Sequence, residues 1–239
     1  MLREFQESKK GKWYKQQLGE SWFNALLPFL ASEEMEEIRQ FIVERRKHTA
    51  VFPESEFIFR AFKLTPLDEV KAIILGEAPY CIPNCSDGLA FSSKKIDPPP
   101  AALRNIIFEV SRDYQVEELT TDGLASWARQ GILLLNTSLT VDTEYPGEHS
   151  KIWFPFIKEV MTAIMKNSFP PAVASFGHNN FYYYDFLIKK AATSSNSFQW
   201  ITTNSPDVFN ANLGFIGSNA FIHIQNHLAQ KDVHINFQL

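Results

Sequence analysis

In the stretch LGEAPYCIPNCSDGLAFS, Leu75 to Ser92, the carboxylate of Glu77 stands on a turn that ends an apolar run, with Tyr80, Cys81, Cys85 and Phe91 close behind it. A carboxylate so placed can take a proton from water or face a developing positive charge. Other polar groups follow other apolar runs: Asn136 after Ile132–Leu135, Gly177 and His178 after Ala172–Phe176, and Asn204 and Ser205 shortly after Phe198–Thr202. Together they offer an amide, an imidazole and a hydroxyl. Cys81 and Cys85, even with His149 or His178 added, lack a matching pair of ligands, so no metal and no cofactor is expected.

The elements that must hold these groups are legible in the hydrophobic pattern. Val70–Leu75, Ile132–Leu135, Ala172–Phe176 and Phe198–Thr202 are short apolar runs that read as buried strands. Helical spacing appears between them at Ala102–Tyr114, Thr121–Arg129, Phe154–Ile164, Phe181–Lys190 and Ser218–Ala229, and ahead of them two helices span Glu20–Lys47, with Ser32 followed by acids as a start signal. This alternation predicts an α/β fold, a three-layer αβα sandwich on a central four-stranded parallel sheet. In such sheets ligands bind outside the carboxyl ends of the strands, which is where the polar groups collect.

Bulk composition narrows the class. The chain of 239 residues is 45% hydrophobic and 21% charged with a formal net charge of −4, which fits a single domain over 1–239 and gives no global sign of nucleic-acid binding, although a local basic face is compatible with it. No apolar run is long enough to span a bilayer, and the N-terminal MLREFQESKKGKWYKQQLG has no apolar signal core, so no membrane partner is expected and the location expected is cytoplasmic, or nuclear in a eukaryotic or viral setting. A monomer is the expected state.

These segments resemble the family 1 uracil-DNA glycosylases. GEAPYCIPNCSDGLAFS is similar to that family's water-activating segment, GQDPYHGPNQAHGLAFS, without a gap; WYKQQLGESWFNAL, VFPESEFIFRAF, PPPAALRNI and WARQGILLLNTSLTV match further segments, and NSPDVFNANLGFIGSNAF matches AHPSPLSVYRGFFGCRHF. The resemblance implies tasks for single residues. Tyr80 walls off the C5 edge of a pyrimidine, Phe91 stacks on the flipped base, and Asn136 reads its O4 and N3 edge. Pro99, Pro100, Ala102, Gly177, His178 and Phe209 fall in the DNA-contacting loops, Phe209 at the place of an intercalating wedge. His149 falls near a histidine that accompanies the pocket, while Lys94, Lys95 and Lys151 are either part of a phosphate-facing rim or scattered surface charges.

The resemblance breaks at the chemistry. The water-orienting aspartate of family 1 aligns with Ala78, the histidine that donates to uracil O2 aligns with Ser205, and a serine that pinches a phosphate aligns with Asp207. A one-residue gap would put Asn204 at the histidine place instead. Losing a general base costs about 10²–10⁴ in rate and losing an oxyanion donor about 10²–10³. Glu77 offers a replacement, because Gly76-Glu77-Ala78-Pro79 is similar to the GEGPG or GEAPG motif of the family 4 enzymes, which keep a glutamate there; the cluster cysteines of that family are absent.

Two readings follow. In one, the chain is a divergent DNA glycosylase that flips a uracil-like or modified pyrimidine from single- or double-stranded DNA and hydrolyses its N-glycosidic bond with Glu77; a modified base in bacteriophage DNA would make it a defence enzyme. In the other, it is a catalytically inactive relative that serves as a DNA- or protein-binding module.

Overall fold

A computed structural model describes residues 2–117, 123–166, 171–177 and 199–238. Ahead of the sheet lie four helices, α1 (Leu2–Glu7), α2 (Lys9–Leu18), α3 (Glu20–Leu30) and α4 (Glu33–His48). Ser8 and Ser32 cap α2 and α4 by accepting from Gly11 N and Met35 N, and α4 has Glu33, Glu34 and Glu36 in its first turn and Arg45, Arg46, Lys47 and His48 in its last. Both ends of α4 thus match the helix dipole. After α4 come β1 (Val51–Phe52), α5 (Arg60–Leu64), β2 (Ala72–Gly76), α6 (Ala101–Tyr114), α7 (Ala125–Ala128), β3 (Ile132–Asn136), β4 (Val141–Asp142), α8 (Pro146–Met165), β5 (Ala172–Phe176), β6 (Gln199–Thr203) and α9 (Ala220–Ala229).

The sheet has the order β3-β2-β5-β6 with every pairing parallel. Every residue of β2, β3 and β5 is buried. Since successive side chains point to opposite faces, this shows that both faces are covered, as the unbroken apolar runs require. Only β6 alternates toward solvent, as an edge strand does. α9 packs on β5 and β6 with α6 against it, α5 and α7 pack on β3, and α8 packs on α3 and α4. The four-stranded αβα architecture expected from the sequence is therefore the one found.

Boundaries differ in places for local reasons. The first strand begins at Ala72, because Leu67–Glu69 forms a 3-10 turn that Val70 N closes onto Leu67 O. α8 begins ahead of the apolar spacing that marks it in the sequence, with proline at its start, where a missing N–H has no intrahelical partner to lose. The pattern at Thr121–Arg129 yields only the short α7 among the described residues, and Phe181–Lys190 lies outside them. The antiparallel pair β1–β4, in register Val51↔Asp142 and Phe52↔Val141, is too short to show any alternation in sequence.

The core is aromatic, and its polar tips are paired. Trp22 Nε1 donates to Thr65 O (2.7 Å), Trp127 Nε1 to Phe237 O (3.1 Å) and Trp153 Nε1 to Thr140 Oγ1 (2.7 Å). Leaving such a buried donor unpaired would cost about 1–3 kcal/mol. No helix among the described residues is long and apolar enough to cross a membrane.

Candidate active site

The strands deliver their ends level with one another. Gly76, the last residue of β2, is in register with Asn136, the last of β3, and the ladder runs on past both: Thr137 N donates to Gly76 O (2.9 Å), Ser138 N to Glu77 O (2.9 Å) and Thr137 Oγ1 to Glu77 O (3.2 Å). The backbone of Glu77 is thereby fixed by hydrogen bonds that extend the sheet. Its side chain stands exposed and lines a cavity of about 450 Å³ at the carboxyl end of the sheet. Ala78, Tyr80, Phe91, Ala102, Phe176, Gly177, Ser205, Asp207 and Asn210 complete the described lining.

The segment between Glu77 and Phe91 is pinned by a buried aspartate. Asp87 accepts from Arg60 (2.6 Å), Leu89 N (3.1 Å) and Ser92 Oγ (2.8 Å), while Ser86 Oγ donates to Tyr80 O (2.9 Å). Gly88, at φ +87°, lies so close to Phe57 O that a Cβ would stand 2.0 Å from it. Held this way, Phe91 adopts φ +61°, a left-handed conformation that costs a non-glycine residue about 1–3 kcal/mol. Strain of this kind persists only where surrounding contacts impose it. Here it presents the Phe91 ring to the cavity, 5.7 Å from that of Phe176.

Tyr80 OH donates to Phe91 O (2.9 Å), so the two aromatic residues are clamped together. Burial pushes the phenol pKa far above its ordinary value, and the ring is held as a neutral wall. Asn136 is 5% exposed and sits behind Phe91, outside the cavity's immediate lining. From the point where a Cβ on Gly76 would stand, Asn136 Oδ1 is 2.4 Å away and Phe91 Cε2 3.4 Å. Among the described residues nothing bonds to the Asn136 amide, yet it is not sealed from solvent. A nearly buried amide in that state is unusual, because buried polar groups are normally paired.

The other wall is the turn after β6. Ser205 lines the cavity, whereas Asn204 turns its Nδ2 onto Leu213 O (2.5 Å), so the ungapped register is the one that brings a hydroxyl to the site. Asp207 Oδ1 accepts from Phe209 N (2.8 Å) and Asn210 N (3.0 Å), and Asn210 Nδ2 bonds both its oxygens (3.1 and 2.9 Å). Burial pulls its pKa upward, but the donors from Asn210, Ser205 and Phe209 prevail and hold it below the ordinary value. The described lining therefore carries the carboxylates Glu77 and Asp207 and no basic side chain.

The remaining expected residues are distributed around this site. Pro99 O accepts from Arg104 (2.6 Å), Pro100 precedes α6, Ala102 and Gly177 line the cavity, Phe209 is 84% exposed at the rim, and His178 lies outside the described residues. Lys94 is committed to Glu54 (2.9 Å) and the face of Phe57, which leaves it little freedom as a phosphate contact. His149 is buried away from the cavity. Its Nε2 bonds Asp142 (2.9 Å) and its Nδ1 bonds Thr140 Oγ1 (2.8 Å), which accepts from Trp153 in turn. Thr140 accepting from Trp153 leaves its own O–H for Nδ1, so the neutral ring carries its proton on Nε2. Burial keeps the His149 pKa below its ordinary value. Cys81 and Cys85 are free thiols, one exposed and one buried, and no group of three or more His, Cys, Asp or Glu among the described residues is placed to hold a metal.

Phe176, Asn210 and the inward placement of Asp207 are the site features that sequence reasoning missed. Phe176 was findable, as the last residue of an apolar run whose end faces the ligand side of the sheet. Asn210 carries no such signal.

A strand-end cavity with a stacking ring, a fixed phenol and an unpaired amide defines an α/β protein built to hold a flat heterocycle. A sequence profile described as the Uracil DNA glycosylase superfamily matches residues 62–229, and the chain belongs to that superfamily. A uracil-DNA glycosylase of Acinetobacter baylyi is 41% identical over 160 residues, 66% of this chain and 68% of that protein, and one of Shouchella clausii is 37% identical over 196 residues, 82% of each. The crystal structure of mimivirus uracil-DNA glycosylase superposes with a TM-score of 0.82 at 19% identity, covering 94% of this chain and 88% of that one.

Proposed function

We propose that this chain is a DNA glycosylase that draws a uracil-like or modified pyrimidine out of DNA and hydrolyses its N-glycosidic bond. The observation that carries the reading is the reachable, unpaired amide of Asn136 beside the strained Phe91 ring. A pyrimidine stacked on Phe91 offers its donor and acceptor edge to that amide, and Tyr80 closes another edge. Glu77 takes a proton from water as the water oxygen bonds to the anomeric carbon, and the electron pair of the breaking C–N bond leaves with the base. Ser205 presents a hydroxyl to the same cavity and is the donor available for a base carbonyl.

Uracil fits the wall as it stands. A bulky C5 substituent requires the bond from Tyr80 OH to Phe91 O to break and the ring to turn, so a modified pyrimidine, and with it a role against bacteriophage DNA, calls for movement at Tyr80. The second reading, an inactive DNA- or protein-binding module, is favoured by Ala78 and Ser205, which present a methyl group and a hydroxyl where the relatives' motif has an aspartate and a histidine.

One assay separates the two. The protein is incubated with single- and double-stranded oligonucleotides carrying uracil or 5-substituted pyrimidines, and abasic sites are revealed as alkali-induced strand breaks. We expect breaks with the wild-type chain and a loss of about 10²–10⁴-fold in Glu77→Gln. Binding without breaks across the whole panel overturns the enzyme reading, and equal rates in the two proteins overturn the role of Glu77.

A further inference from the structure

The turn from Ser205 to Leu213 carries side chains that the hydrolysis above does not use. It is rigidly built: Asn105 Nδ2 on α6 donates to Pro206 O (2.8 Å), Asp207 binds both following amides, Ala211 N and Leu213 N close back on Asp207 O and Asn210 O, and Asn204 ties off Leu213 O. A turn this well determined nevertheless holds Val208, Phe209 and Leu213 in water, at 65%, 84% and 69% exposure. Large apolar groups fixed outward on a preorganised support are a surface made for contact. Their place is specific, because Asp207 and Asn210 of the same turn line the cavity mouth.

Whatever strand feeds a nucleotide into the cavity must lay its neighbouring bases and phosphates against this turn. Asp207, an ionised carboxylate, repels phosphate. Leu213 stands where the related segment YRGFFG has an arginine, so a cation that would attract phosphate is replaced by an apolar group. Val208, Phe209 and Leu213 offer bases a stacking and packing surface, the contact through which proteins hold single strands. In an intact duplex the phosphates face outward and the bases are already stacked on one another, so the same surface gains little until the pairs are opened.

We infer that this turn grips bases and turns phosphates away, and that the substrate class is DNA whose bases beside the target nucleotide are unpaired. The inference rests on the reading that the cavity receives a nucleotide of DNA. Phe209 is the central contact, and Leu213 and Val208 extend it.

The test is binding alone, by fluorescence anisotropy of oligonucleotides lacking any excisable base, as single strand, bubble and full duplex, across a salt series. The expected result is single strand and bubble bound at least about tenfold more tightly than duplex, with a shallow salt dependence. Phe209→Ala and Leu213→Ala each weaken single-strand binding by about 5- to 150-fold, the range set by loss of one stacked base. Asp207→Ser strengthens duplex binding and steepens the salt dependence. Duplex bound as tightly as single strand, or both alanine variants binding like wild type, overturns the inference. Excision measured separately keeps the two readings apart: strand breaks without a single-strand preference defeat this inference alone, and the preference without strand breaks defeats only the hydrolytic reading.

Discussion

Gly76→Ala tests the pocket through a single methyl group. The new Cβ would stand 2.4 Å from Asn136 Oδ1, 0.6 Å inside the 3.0 Å limit of real Cβ contacts, and 3.0 Å from Ala90 Cβ. Gly76 does not need a left-handed backbone, so alanine brings no conformational strain of its own. The clash is resolved by the amide moving, because Ala90 is held by its N–H on Leu134 O (3.1 Å) and the strand itself by its ladder. A displacement approaching 1 Å in a positioned group costs up to about 10²-fold in rate, so excision of uracil under single-turnover conditions should fall by about 10- to 100-fold. Overpacking of this kind costs about 1–3 kcal/mol, and the melting temperature of a chain this size should drop by only about 2–12 °C. Alkali-revealed strand breaks and a thermal melt on the same preparation read both quantities. A folded variant that excises at the wild-type rate would refute the argument that the Asn136 amide reads the base.

Three further perturbations have defined outcomes. Tyr80→Phe removes the bond to Phe91 O and should lower unfolding free energy by about 1–2 kcal/mol; by freeing the ring it should also reduce discrimination against 5-substituted pyrimidines by about 5–10-fold in competition assays. Burial and the nearby charge of Glu109 push the Asp113 pKa up to about 6, so the ionised group opposes folding above that pH and the penalty disappears as the pH falls toward the ordinary carboxylate value. Asp113→Asn should therefore be the more stable protein by about 1–2 kcal/mol near neutrality, the linkage being reduced for partial exposure, with the two denaturation midpoints converging at about pH 4. Asp142→Ala leaves Arg45 and the buried His149 without their shared carboxylate and should cost about 3–5 kcal/mol in urea unfolding while leaving the base cavity unaltered in shape.

The fold was legible because three of the four strands are buried on both faces and so read as unbroken apolar runs. Their ends also marked the site, since Gly76, Asn136 and Phe176 each close a run. What could not be read were features fixed by tertiary geometry. The left-handed backbone of Phe91 depends on Asp87 and Arg60, which lie far apart along the chain, and no local signal announces it. The choice between Asn204 and Ser205 depended on Leu213 O, reached only when the turn closes. Asp207 read as a surface charge opposed to phosphate, and the inward side of its carboxylate emerged only with the Asn210 bonds.

The amide of Asn136 is mounted on the innermost strand pair, while Ser205, Asp207 and Phe209 ride on a connecting loop. Mutational drift on the loop can change which nucleic acid is admitted without unseating the group that recognises the heterocycle. A lineage under pressure from new chemical lesions could retune the entrance and keep the same reader.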